Sequence, residues 1–142
     1  MERKIRLVID TNILFAATIS PEGHTARLIF RDDLELYAPD FMLWEIEKYK
    51  KILLRKGAYE TAVALDGVLS KILKRVTIIP GQLYVDIMPK AAEITPDPKD
   101  APFIALALKL NAPLWTNDKA LKAIEEIQVL DTREIIELVK ER

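Results

Sequence analysis

Five carboxylates in this 142-residue chain stand where chemistry is possible: Asp10, Glu45, Asp97, Asp100 and Asp118. Asp10 opens the polar triplet Asp10-Thr11-Asn12, and Asp118 closes its echo, Thr116-Asn117-Asp118. Each triplet follows a short apolar run. Glu45 sits in the apolar stripe of a helix. Asp97 and Asp100 precede an apolar helix in a run with three prolines. Brought together without counter-charge, such acids would repel and raise one another's pKa values. The usual solution is a divalent cation, and hard oxygen ligands suit Mg²⁺ or Mn²⁺. Such a centre can orient and deprotonate a water and stabilise charge developing on a phosphodiester. Two ions ~4 Å apart can clamp the attacking and leaving oxygens. Thr11, Asn12, Thr116 and Asn117 would orient the carboxylates or their waters.

The elements decide whether the acids can meet. Ile5–Ile9 is β-branched and interrupted only by Arg6, which suits a strand of a parallel sheet. Residues 12–17 begin a short helix, and the turn Ser20-Pro21-Glu22-Gly23 leads to a helix over 25–32. His24, beside that turn, reads as an exposed loop residue. A second strand spans 34–38. Asp40 then caps a helix running to Lys56 and ended by Gly57. At about 100° per residue, Phe41, Met42, Ile46, Tyr49, Ile52 and Leu53 form its apolar face. Glu45 falls inside that face, and an unpaired buried carboxylate is costly. The bland alternative is a salt bridge to a buried arginine. A helix over 59–75 completes a helical hairpin, a candidate clamp or dimer surface. Val76–Ile79 is a third strand. Residues 83–94 read as mostly helical, with Pro89 marking the true start or a kink.

For the next helix, a start at Asp97 would put Pro98 at the first position. A start at Asp100 fits Pro102 better. Capping explains one of these aspartates and does not easily explain both. Residues 113–115 form a fourth strand, 119–126 a helix and 127–130 a fifth strand. Asp131 and Glu134 make a capping box for the last helix. Asp10 and Asn12 also admit a bland reading, as turn or cap residues. The βα order without hairpin signals predicts an α/β fold, a three-layer α/β/α arrangement around a five-stranded parallel sheet. In such a sheet all strand C-termini lie on one edge. Asp10 and Asp118 would share it, with Glu45 pointing in from a packed helix.

Composition narrows the classes. Half the residues are hydrophobic and 30% are charged, as in ordinary globular proteins. One domain over residues 1–142 is the expectation. No apolar run reaches the ~20 residues of a membrane span, and the N-terminus leaves no room for a signal peptide. With no cysteine and one histidine, thiolate and His-rich zinc sites are excluded. The expectation is a cytoplasmic protein. Many Lys and Glu with few Asn and Gln hint at a thermophile. Net charge is −1, so a polyanion must meet a local basic patch or bind through metal ions.

The ordered set of Asp10-Thr11-Asn12 after an apolar strand, an inward Glu45, the segment from Asp97 to Ala107, and Thr116-Asn117-Asp118 resembles the PIN domain. The resemblance runs over essentially the whole chain. It implies a five-stranded parallel sheet and a metal-dependent nuclease, in many members a VapC-type ribonuclease toxin paired with an antitoxin. By position, Asp10, Glu45, Asp100 and Asp118 match the family's acidic quartet as catalytic, metal-holding residues. Asp97 is an extra candidate ligand, and Thr116 or Asn117 matches the residue supporting the fourth acid. The expected activity is therefore Mg²⁺- or Mn²⁺-dependent endoribonuclease, with single-stranded RNA as substrate, an antitoxin as a candidate partner and a homodimer as the expected assembly. Lys48, Lys50, Lys51, Arg55, Lys56, Lys71, Lys74 and Arg75 on the helical hairpin would steer the strand. The alternative is a catalytically silent PIN-like module that binds RNA or protein. A haloacid-dehalogenase-like phosphatase would need an acid where Asn12 stands. A receiver domain would need an adjacent acidic pair before its phosphorylated Asp. No Gly-rich phosphate loop is present.

Overall fold

The structure, a computed structural model, describes residues 3–141. Five strands form one parallel sheet: β1 (Ile5–Ile9), β2 (Leu34–Pro39), β3 (Val76–Ile79), β4 (Leu114–Trp115) and β5 (Val129–Leu130). Their order is β3-β2-β1-β4-β5. The chain steps outward from β1 to β3, then returns to lay β4 on the other side of β1. That reversal makes the crevice between β1 and β4 the switch point where open sheets take ligands. Arg6, the one break in the apolar run of β1, is exposed and lies over the Tyr37 ring at 5.3 Å. Leu7, Val8 and Ile9 are fully buried.

Among the described residues, seven α-helices flank the sheet, giving three layers: α1 (Thr11–Ile19), α2 (His24–Ile29), α3 (Phe41–Lys56), α4 (Ala62–Leu73), α5 (Met88–Ile94), α6 (Ala101–Leu110) and α7 (Thr132–Lys140). Helix α1 packs against α2, α3 and α4, whereas α6 packs on β1, β2 and α5. Residues 101–107 of α6 are all buried, as a helix laid along a sheet and covered by α5 requires. His24 is exposed, at the first position of α2 rather than in a loop.

Several local expectations shift. Asp40 stands at the start of α3 without capping it; its carboxylate accepts from the Tyr84 hydroxyl at 2.6 Å and the Gly81 N–H at 2.9 Å. Gly57 follows α3 in right-handed conformation (φ −83°), and Ala58 takes the left-handed one (φ 56°). Glycine is needed at 57 for room: a Cβ there would stand 2.3 Å from the Tyr59 ring. Tyr59 is thereby outside α4, which starts after the Thr61 cap, and its hydroxyl donates to the Thr18 carbonyl. Pro89 lies in the first turn of α5, and residues 81–87 are two 3₁₀ turns. Residues 119–123 also form only a 3₁₀ turn, since Leu121 and Ile124 are the sole buried residues between 119 and 126. Two apolar anchors are too few to hold a helix that propensity alone cannot stabilise. The capping box of α7 forms as read, with Asp131 and Glu134 each accepting the other's backbone N–H.

Candidate active site

Because β1 and β4 are neighbours, the residues that leave them meet. The Asp10 N–H donates to the Trp115 carbonyl at 3.0 Å, so the last hydrogen bond of this strand pair lies directly under the acid. The Thr116 hydroxyl, just past the end of β4, donates to Asp10 Oδ2 at 2.8 Å and accepts from the Asp118 N–H at 3.1 Å. One buried hydroxyl therefore holds the acids of both polar triplets in register. On the other side of Asp10, the Thr11 hydroxyl donates to Glu45 Oε1 at 2.6 Å, tying the start of α1 to α3. Glu45 has found a hydroxyl partner in place of the arginine that a purely structural role would have required.

A cavity of about 580 Å³ opens at this edge. Asp10, Glu45, Asp97, Asp100 and Asp118 all line it, together with Thr11 and Asn12. The two aspartates before α6 divide their tasks. Asp97 accepts from the Lys99 N–H at 3.0 Å and caps a 3₁₀ turn. Asp100 occupies the position before α6 but makes no capping bond; its half-buried carboxylate faces the cavity. Asp118 is exposed and accepts from the Ala120 N–H at 3.0 Å, leaving its other oxygen without a hydrogen bond among the described residues. Asn117 departs from the supporting role read for it: its Oδ1 accepts from the Thr132 N–H, which fastens the turn to α7 instead.

The electrostatics follow from this crowding. Asp10 is only 6% exposed, and burial raises its pKa against the pull of the Thr116 hydroxyl, with the Asp118 charge adding to the rise. Glu45 is also raised, first by burial and then by Asp10, while its bond from Thr11 and the nearby Lys99 and Lys48 oppose the shift. Asp100 is pushed up to about 7, by burial first and then by Asp10, Asp97, Asp118 and Glu45 together. Burial is the larger cause, and the neighbouring carboxylates, all hard oxygen donors, add a repulsion that a cation would relieve. The donor chemistry fits Mg²⁺ or Mn²⁺. Among the described residues, though, no group of three or more His, Asp or Glu side chains is arranged to hold a metal ion as it stands. The carboxylates share the cleft without closing into a cage.

Among the cleft's aromatic and basic residues, Phe15 and Lys99 carry no functional reading in the sequence, Tyr49 reads there only as part of the apolar face of α3, and Lys56 as one of the cations that steer the strand. Phe15 and Tyr49 line the cleft and meet edge-to-face at 5.8 Å. Lys56 and Lys99 also line it. The helical period places Tyr49 on the Glu45 face in the sequence, and Lys56, at i+11 from Glu45, follows from the same count. Lys99 was hidden between two aspartates whose capping signals dominated the segment.

Comparison with known proteins now bears on this geometry. A family model described as PIN domain matches residues 8–137. No curated protein matches the sequence. Among solved structures, PAE2754 from Pyrobaculum aerophilum aligns with a TM-score of 0.72 at 17% identity, over 97% of this chain and 91% of that one. VapBC-1 from nontypeable Haemophilus influenzae aligns at 0.67 and 18% identity, over 91% and 99%. VapBC2 from Rickettsia felis, bound to a DNA fragment from its promoter, aligns at 0.61 and 17% identity, over 89% and 98%. At such identities the structural likenesses establish the fold. The family match covers all the acids and both polar triplets, and on it the chain belongs to the PIN domain family.

Proposed function

We propose that the chain is a divalent-metal-dependent endoribonuclease acting as one domain over its 142 residues, with Asp10, Glu45, Asp100 and Asp118 holding Mg²⁺ or Mn²⁺. The observation that carries this reading is the acid-lined cleft at the switch point of the sheet, where burial and then the neighbouring acids raise Asp100 to about 7. Bound there, divalent cations would supply a Lewis acid toward phosphate oxygens and lower the pKa of a water. The protein's own part is positioning. Thr116 fixes Asp10 relative to Asp118, and Thr11 fixes Glu45. Asn12 and Asp97 stand at the rim to orient water or add a ligand. Lys56 and Lys99 meet the incoming phosphates from the same cleft. In the overall hydrolysis a water oxygen bonds to phosphorus, one P–O ester bond breaks, and the proton ends on the leaving oxygen.

RNA, and single-stranded RNA in particular, is read from the family resemblance and from the access that an acid-lined cleft gives to an exposed backbone. The VapBC structures that share the fold support a further reading: the chain is the toxin of a toxin–antitoxin pair, a cytoplasmic homodimer restrained by an antitoxin. No helix among the described residues is long and apolar enough to cross a membrane.

The test is cleavage of a panel of single-stranded RNAs by the wild type and by Asp10→Asn, with Mn²⁺ and with chelator. The expected outcome is metal-dependent cleavage that falls by at least about a hundredfold in Asp10→Asn, the scale of removing one preorganised charge-stabilising group, with an unchanged circular dichroism spectrum. Cleavage retained in that variant overturns the assignment. Binding without metal dependence or cleavage would point to the silent PIN-like module.

A further inference from the structure

Helix α3 shows solvent a second line of residues beside the cleft. Trp44, Lys48, Lys51 and Arg55 recur at i, i+4, i+7 and i+11, which at about 100° per residue is one row along the helix. By the same count Lys48 lies about 60° and Trp44 about 100° round from Glu45, with Phe41 and Ile52 between. The row thus runs alongside the mouth of the cleft. Trp44 is 55% exposed, whereas the other tryptophan, Trp115, is 0% exposed. The indole is nonetheless held. It stacks on Phe41 at 5.4 Å and 21°, and Phe41 meets the buried Phe103 of α6 edge-on at 6.3 Å. The Lys48 ammonium stands 5.0 Å from the Trp44 ring and 5.5 Å from the ring of Tyr49, which lines the cleft.

Lys48 is held over the Trp44 and Tyr49 rings, and the cations of the row are otherwise unpaired among the described residues. Lys48, Lys51 and Arg55 are exposed, and none of them forms an ion pair among the described residues. Other basic residues of the hairpin are engaged: Lys50 pairs with Glu47 and Asp66, and Arg75 donates to the carbonyls of Ile29 and Arg31. Burial against a second copy of the chain suits the row poorly. A two-fold contact would bring the same three cations toward each other, and an indole with Phe41 and Ile52 beside it is a small apolar patch for a stable interface. A half-exposed indole beside cations that carry no ion pair among the described residues is instead the combination that takes a base and its neighbouring phosphates.

We propose that the outer flank of α3 is a track for single-stranded nucleic acid. Trp44 stacks on one unpaired base, and Lys48, Lys51 and Arg55 hold the phosphates beside it, so that the strand enters the cleft past Glu45. This rests on the nuclease reading for the strand's destination, and it names what the approach selects: unpaired bases with an intact backbone.

The test is a titration of the full Asp10→Asn chain, used so that the strand stays whole, with a short mixed-sequence single-stranded RNA and with an abasic strand of the same length. Binding is read by anisotropy of the labelled strand, and stacking by tryptophan emission. The expected result is saturable quenching by RNA and none by the abasic strand. Trp44→Leu loses the quenching and binds RNA about tenfold more weakly, while Trp44→Phe recovers most of the affinity. Lys51→Gln flattens the salt dependence of binding by about one released counterion. Equal RNA affinity in Trp44→Leu, without quenching in the parent, overturns the track and leaves the nuclease reading intact. RNA binding by neither protein overturns both. Emission that changes with protein concentration alone, and is lost in Trp44→Leu, makes the flank a contact between copies and overturns the track. A wild type that shows the expected quenching and loss but cuts no RNA with Mn²⁺ removes the nuclease reading and keeps the track.

Discussion

Asp100 carries the clearest consequence at the scale of single residues. Its pKa is raised from 3.8 to about 7 by burial and by four neighbouring acids. A carboxyl raised on folding favours the folded state most when it is protonated. Its stabilising contribution is complete below pH 3.8 and is lost as pH rises through about 7. Asp10 and Glu45 are raised too and act in the same direction. Asp86, lowered first by its bond from Lys109, acts in the opposite direction but below its ordinary value of 3.8, outside that window. Without metal, the protein should therefore become less stable between about pH 5 and about pH 8. Asp100→Asn should flatten that slope and leave the chelated protein more stable at the upper end. Urea melts in chelator at the two pH values check this. An unchanged slope in Asp100→Asn would mean that the acids are further apart electrically than the shared cleft implies.

At the scale of elements, legibility tracked burial. Strand β1, the face of α3 and the apolar helix α6 were readable because their periods are forced by what they bury, and with them came the placement of four acids on one edge. The 119–126 segment was misread as a helix because polar helix formers fill it while only two residues reach the core. The end of α3 was misread for a subtler reason. Gly57 looks like a left-handed cap, yet its lack of a side chain serves the Tyr59 ring, and Ala58 bears the left-handed backbone at φ 56°. Nothing local in the sequence distinguishes these roles, since Tyr59 takes its position from a bond to Thr18, 41 residues away. The prediction is specific to this arrangement. Ala58→Gly should stabilise by about 1 kcal/mol by removing the cost of a Cβ in left-handed conformation. Gly57→Ala should destabilise by about 1–3 kcal/mol, since Tyr59 must move. If instead Gly57 were the residue needing conformational freedom, Ala58→Gly would be neutral or slightly destabilising in a thermal melt.

At the scale of the whole molecule, the cleft joins parts of the chain that are distant in sequence. Asp10 leaves β1, Glu45 comes from α3, Asp100 precedes α6 and Asp118 follows β4. An ion held by all four would bind only when the sheet has closed β4 against β1 and both helical layers are in place. It would then favour the folded state by mass action, by about 2.7 kcal/mol at a hundredfold excess over its Kd. For a chain of this size that is a rise of roughly 8 °C in Tm. Mn²⁺ should raise the Tm of the wild type by that order. Asp10→Asn should abolish the rise while melting at or above the wild-type temperature in chelator, because it removes a buried like charge and keeps a Thr116 acceptor. A single substitution at the edge of β1 would thus cancel a stabilisation that depends on acids from four elements, which separates one shared site from weak binding scattered over an acidic surface. A Mn²⁺ effect of equal size in Asp10→Asn would show that the ion binds elsewhere. The acids of the cleft would then have to be explained by what they do to the fold alone, and with Asp10, Glu45 and Asp100 all raised, their ionised forms weigh against the metal-free fold.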